Sequence, residues 1–124
     1  MTTMTKPLLL MLAGWHGGLA AWLILAPRGF YDLVPGVAET GPFNDHFARD
    51  VGFAFLVTAV GLALAVWRDD RVLGLLAAGF PALHGLLHLV SVGHHGAGAL
   101  DLVANTGLGG LALVLAARLK GGAA

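Results

Sequence analysis

Charged residues are so sparse in this chain that marking them leaves four long uncharged stretches, 7–27, 51–67, 72–100 and 102–117. A helix that crosses the hydrocarbon core of a bilayer needs about 20 mostly apolar residues, within a range of about 17 to 25. The first and third stretches meet that length alone. The second and fourth meet it once extended outward to the polar residues that open them, near His46 and Asp101. The pattern predicts a single domain, 1–124, with transmembrane helices at about 7–26, 46–67, 72–92 and 101–118 and one long connection at about 27–45. The first stretch is too long for the apolar part of a signal peptide and has no clear small-x-small cleavage site before Arg28, so it reads as a span.

The connections arrange these helices. Arg68-Asp69-Asp70-Arg71 is a tight turn that makes the second and third helices antiparallel neighbours. Segment 27–45 carries the turn signals Pro35-Gly36 and Gly41-Pro42 around Phe30, Tyr31 and Phe43, aromatic residues suited to the headgroup region. Asn44 or Asp45 can cap the second helix, and Gly93 to Gly98 reads as a Gly/His turn between the third and fourth. The expected fold is all-α, an antiparallel four-helix transmembrane bundle. Lys6, Arg68, Arg71, Arg118 and Lys120 fall on one side of it, and only Arg28 and Arg49 on the other. Because short loops rich in Lys and Arg stay in the cytoplasm, both termini are expected inside. Asp32, Glu39, Asp45, Asp50 and Asp101 then face outward with His46, His94 and His95, which for a bacterial inner membrane means the periplasm.

Composition narrows the classes. Of the 124 residues 57% are hydrophobic and 11% charged, with a mean hydropathy of +0.81. An ordinary soluble domain carries about 25% charge, so this chain lacks the solubilising surface of one. Seven basic residues balance seven acidic ones, which leaves no basic footprint for nucleic acid. The absence of cysteine excludes disulfides, thiol redox chemistry and iron–sulfur ligation. Six histidines are the one chemical excess.

Depth can be counted at 1.5 Å per residue from each expected cytoplasmic end. His84 and Asn105 come to about 20 Å, His88 and Asp101 to about 26 Å, Asp50 to about 27 Å, and His16 to about 15 Å. In the third helix Ala77, Pro81, His84, His88 and Ser91 share one stripe, and Pro81 leaves the Ala77 carbonyl without its usual donor. His46 with Asp50 and Asp101 with Asn105 are further pairs one turn apart, which together suggest a polar funnel at the outer end. Histidines at i and i+4 can ligate one ion, so His46, Asp50, His84, His88 and Asp101 form the candidate metal set, supported by Asn44, Arg49, Ser91 and Asn105. Imidazole with carboxylate suits divalent Zn, Mn, Fe or Cu(II). Asp50 is expected to face inward with His46 while Arg49 reaches to the headgroups. No catalytic residue is assigned.

Other readings of the same residues stay open. The histidines can serve as interhelical hydrogen-bonding groups, in a protein that stabilises a larger membrane complex. Alternatively, His16 and His84 can be the axial ligands of a haem b, which would make the protein a quinone-linked electron carrier. Gly14 and Gly18 form a GxxxG pair turned away from His16, a face suited to homodimerisation or to close packing within the chain. Trp67 fits an inner aromatic belt and Trp22 an outer one.

The segment Gly41-Pro42-Phe43-Asn44-Asp45-His46-Phe47-Ala48-Arg49-Asp50-Val51-Gly52 resembles a signature of small, uncharacterised four-helix bacterial membrane proteins. Its form is Gly-Pro-aromatic-Asn-x-His-x-x-Arg-Asp-x-Gly, after a Pro-Gly turn and before a third helix rich in Pro and His. These proteins are similar in layout to DoxX-like proteins. The resemblance implies that Asn44, His46, Arg49 and Asp50 act as a unit, and it implies no activity. Members place a histidine directly after the proline of the third helix, where this chain has Ala82.

Overall fold

The computed structural model describes residues 4–95, 98 and 101–121, which contain helices and no strand. In chain order these are α1 (Thr5–Leu25), α2 (Pro27–Leu33), a 3-10 turn (Val37–Thr40), α3 (Asp45–Arg68), α4 (Arg71–His95), a π-helical segment (Leu102–Gly107) and α5 (Leu108–Ala116). Three helical stretches, Thr5–Leu25, Asp45–Arg68 and Arg71–Ser91, are long and apolar enough to cross a membrane; the apolar stretch Leu102–Ala116 is shorter.

Local sequence explains the helix ends. A residue before proline is pushed out of the helical region, and α1 stops where Ala26, at φ −140°, precedes Pro27. That proline then occupies the first position of α2, where its missing N–H costs nothing. Asn44 caps α3 by accepting the Phe47 N–H on Oδ1 at 3.0 Å. At the other end Asp69 adopts a left-handed conformation, φ 52°, and the Asp70 N–H returns to the Ala65 carbonyl at 2.9 Å. Asp70 opens the next helix, its Oδ1 accepting the Leu73 N–H at 3.1 Å. One aspartate thus closes α3 and the next starts α4.

Packing partners follow in reverse order along successive helices. Between α1 and α3 they run from Lys6 with Asp69, through Gly17 with Ala59, to Ile24 with Gly52. Between α4 and the last helical stretch they run from Gly74 with Ala116, through Pro81 with Gly109 and Gly85 with Asn105, to His88 with Asp101. Small residues set these distances. A Cβ on Gly52 would stand 2.9 Å from Ile24 Cγ1, and one on Gly85 would stand 2.5 Å from the Asn105 carbonyl oxygen. The larger core cluster joins Leu9, Leu12, Leu62, Ala65, Ala78, Ala112 and Leu115, and a second one joins Ala20, Leu23 and Phe55. Meanwhile Met11, Val57, Leu76, Leu83 and Leu87 are exposed. Alanines and leucines share the interior, while many large aliphatic side chains lie on the outer surface, where a water-soluble helix would carry polar groups.

Three expected boundaries change. The connection 27–45 contains α2 and a 3-10 turn, closed by the Tyr31 hydroxyl donating to the Gly41 carbonyl at 2.8 Å. Seven residues are too few for a helical period to stand out in sequence. The third helix runs to His95, so His94 and His95 belong to its last turn rather than to a Gly93–Gly98 turn; residues 96, 97, 99 and 100 lie outside the described set, as do the side chains of 92–95. The fourth helix is not one regular α-helix over 101–118. It opens as a π segment and ends at Ala116, a departure in which the Thr106 hydroxyl donates to the Gly85 carbonyl at 2.7 Å and three glycines, Gly107, Gly109 and Gly110, weaken the helical preference.

Candidate functional site

The polar residues meet at the end of the molecule away from Lys6 and Lys120. His84 and His88 lie one turn apart on α4, and their Nε2 atoms are 3.2 Å apart. Across the helix crossing, Asp101 Oδ2 lies 2.9 Å from His88 Nδ1. Asn105, one turn along, donates from Nδ2 to Asp101 Oδ1 at 2.7 Å. With Asp101 ionised, it can only accept, so His88 donates from Nδ1. In neutral His88 that tautomer leaves a lone pair on Nε2, pointed at His84.

Aromatic rings fix His84 from the other side. Phe80, one turn below, stacks on it at 5.5 Å between centroids, and Phe55 of α3 meets it edge-on at 5.7 Å. The site is half-buried: the His88 and Asp101 side chains are 27% and 26% exposed. The small distance between α4 and the last helical stretch at Gly85 and Gly109 brings Asp101 within reach of His88. Only glycine permits such an approach of backbone to backbone.

Four of the residues singled out from sequence therefore come together: His84, His88, Asp101 and Asn105. Others do not join them. His46 and Asp50 pair with each other at 3.4 Å on the outside of α3, with side chains 90% and 57% exposed. The expected orientation of Asp50 and Arg49 is reversed. Arg49 turns toward α1, donating to the Ile24 carbonyl from Nη1 and pairing through Nε with Asp45 Oδ2 at 2.9 Å. The break before Pro27 leaves the last carbonyls of α1 short of donors, and a guanidinium supplies one. Asn44 acts as the cap of α3, not as part of the cluster. Ser91 is half-buried on α4.

His16 is separate as well. It is 2% exposed, its Nδ1 is 2.7 Å from the Leu12 carbonyl oxygen, and its ring stacks on Phe55 at 5.6 Å. Phe55 thus packs against both His16 and His84. The Nε2 of His84 is directed to His88 rather than to His16. A porphyrin between His16 and His84 would need both that nitrogen and the space of the Phe55 ring, so the paired-histidine haem site does not fit.

Among the described residues no three His, Asp or Glu side chains converge on one point as metal ligands. The candidate set thus reduces from five residues to the two imidazoles, with Asp101 behind His88. The aromatic wall of Phe55 and Phe80 was not anticipated, although Phe80 lies four residues before His84 and so on the same face. Gly14 and Gly18 face outward beside Trp15, Leu19 and Trp22, and a Cβ on either would meet nothing within 4 Å, so they pack against no other helix among the described residues. No family model, curated protein or solved structure matches the sequence or the fold.

Proposed function

We propose that the chain is an integral membrane protein, an antiparallel four-helix bundle with both termini in the cytoplasm, that binds a divalent transition metal ion between His84 and His88. What carries this reading is the 3.2 Å separation of two Nε2 atoms on one helix face. Two nitrogens bound to a tetrahedral Zn(II) at about 2.0–2.1 Å stand about 3.3 Å apart. The carboxylate of Asp101 on His88 Nδ1 is the partner that orients a ligating imidazole and raises its basicity. With two protein ligands, the remaining coordination positions are open to water or an exchanging ligand, which suits an accessory or uptake component better than a closed structural site. The reversed order of helix contacts and the gathering of basic residues at one end support the bundle and its orientation. The basic residues gather at the opposite end, which by the positive-inside tendency supports a periplasmic position for the metal in a bacterial inner membrane. The Gly14/Gly18 face is where a second copy would pack.

A second reading has an observation of its own. Asn105, Asp101, His88 and His84 form an unbroken hydrogen-bonded chain that ties α4 to the last helical stretch without any ion. That is the behaviour of a structural subunit.

Metal analysis and an optical spectrum of the purified protein separate the two. After loading with Zn(II) or Co(II) and desalting, the wild type should retain metal without a Soret band. His84→Ala and His88→Ala should lose it, and His46→Ala should keep it. Equal metal content in wild type and both α4 variants would overturn the site, and no retention by any of them would favour the structural subunit.

A further inference from the structure

The opposite end of the molecule carries Lys6, Arg68, Asp69, Asp70, Arg71, Arg118 and Lys120. Both acids are already engaged. Asp69 pairs through Oδ2 with Lys6 Nζ at 3.1 Å and accepts the Lys120 N–H on Oδ1 at 3.2 Å, while Asp70 caps α4. The Arg71 N–H donates in turn to the Lys120 carbonyl at 2.8 Å, and Leu119, 5% exposed, seats the tail against Gly74. The segment after α5 is therefore fixed across the turn between α3 and α4. Arg68, Arg71, Arg118 and Lys120 are all exposed, and none forms an ion pair with a described residue. Beside them Trp67 is 77% exposed, with the Arg68 guanidinium 6.0 Å from its ring centroid.

We propose that this end is a binding surface for the phosphate headgroups of anionic phospholipids. Three guanidiniums and an ammonium held around one backbone crossing match a phosphodiester, which a planar guanidinium meets with two parallel hydrogen bonds. An exposed tryptophan at the same level is the side chain that settles at the headgroup boundary. The two acids at this end are engaged with Lys6, the Lys120 N–H and the cap of α4, which leaves the four cations without an ion-pair partner among the described residues. Each basic residue near an anionic surface strengthens attachment by about fivefold. The proposal rests on the membrane-spanning reading and is independent of the metal site.

The test is lipid retention in nanodiscs of phosphatidylcholine with or without phosphatidylglycerol, read by native mass spectrometry of the intact chain. Wild type should carry phosphatidylglycerol in preference to phosphatidylcholine. The double substitution Arg71→Gln with Arg118→Gln should lower that preference by roughly tenfold or more, and Arg28→Gln, at the other end, should leave it unchanged. Circular dichroism confirms that each variant keeps its helices. Equal retention of the two lipids by wild type, or an equal loss in Arg28→Gln, would overturn the proposal. Displacement of the lipid by millimolar inorganic phosphate would also overturn it, by assigning the surface to free phosphate. Failure of wild type to enter phosphatidylcholine discs at all would reject the membrane-spanning reading and this proposal with it.

Discussion

The contact between α4 and the last helical stretch makes a quantitative prediction at Gly85. A Cβ placed there would lie 2.5 Å from the Asn105 oxygen, 2.8 Å from Thr106 Cα and 2.9 Å from the Asn105 carbonyl carbon. All three are backbone atoms, which no rotamer change can move aside. Restoring the lower edge of ordinary contact, 3.4 Å, requires the helices to separate by about 0.9 Å at this point. Such overpacking costs about 1–3 kcal/mol. Alanine regains up to about 1 kcal/mol of helix propensity relative to glycine, so Gly85→Ala should destabilise by up to about 2 kcal/mol.

Gly79 of the same helix supplies the control, because a Cβ there meets nothing within 4 Å. Gly79→Ala keeps the propensity gain without the clash, and the two variants should differ by about 1–3 kcal/mol, at least severalfold in the unfolding equilibrium. Denaturant unfolding in mild detergent, followed by circular dichroism, measures the difference. The same separation would lengthen the Asp101–His88 contact from 2.9 Å toward 3.8 Å, beyond hydrogen-bond range, so Gly85→Ala should also lose metal retention. A Gly85→Ala protein as stable as Gly79→Ala would refute the helix contact on which the site is built.

Other consequences can be measured separately. Asn44→Ala removes the cap of α3 and should cost about 1 kcal/mol in the same unfolding assay. Asp69 sits below the ordinary carboxylate pKa, chiefly because it accepts the Lys120 N–H and secondly because Lys6 binds it. A lowered folded-state pKa contributes stability above the unfolded value and loses it as pH falls through the folded value. The stability gap between wild type and Asp69→Asn should therefore narrow on acidification; a gap constant with pH would contradict the assignment. The chain has no cysteine, so single substitutions report topology cleanly. A membrane-impermeant maleimide should label Glu39→Cys in intact cells and Gly121→Cys only after lysis, and the reverse pattern would invert the orientation.

The helical character of the chain and its three long apolar helices were legible from the spacing of charges alone, because a long uncharged run has few alternatives to a helix in lipid. The pairing of His84 and His88 was equally legible, since residues four apart share a helix face whatever the tertiary structure. The same rule placed His46 beside Asp50 but could not say which way that face points. Asp50 lies outward with His46, while Arg49 next to it turns inward to the Ile24 carbonyl, which loses its helical donor where α1 ends before Pro27. This is a contact between residues 25 positions apart, which periodicity does not encode. Depth counting likewise gives His16 and His84 compatible heights but does not reveal the ring of Phe55 packed against both.

The polar cluster depends on small residues more than its own chemistry suggests. Asp101 and Asn105 come from a stretch whose π-helical opening departs from the ordinary ladder, yet Asn105 reaches Asp101, and Asp101 reaches His88, at good hydrogen-bond distances. What holds that stretch in register is its backbone contact with α4 at Gly85 and Gly109, together with the Thr106 hydroxyl on the Gly85 carbonyl. The glycines of the last helix weaken it locally and at the same time allow the approach that satisfies Asp101. Packing and polar chemistry are therefore coupled rather than additive. Thr106→Val, which keeps volume but removes the hydroxyl, should weaken the bond between Asp101 and His88 without touching either residue. In a double-mutant cycle, Thr106→Val and Asp101→Asn should show an interaction energy of about 0.5–3 kcal/mol, the range for residues in one hydrogen-bonded network. Strict additivity would mean that Asp101 is placed by its own helix alone, and the role given to the Gly85 contact would have to be withdrawn.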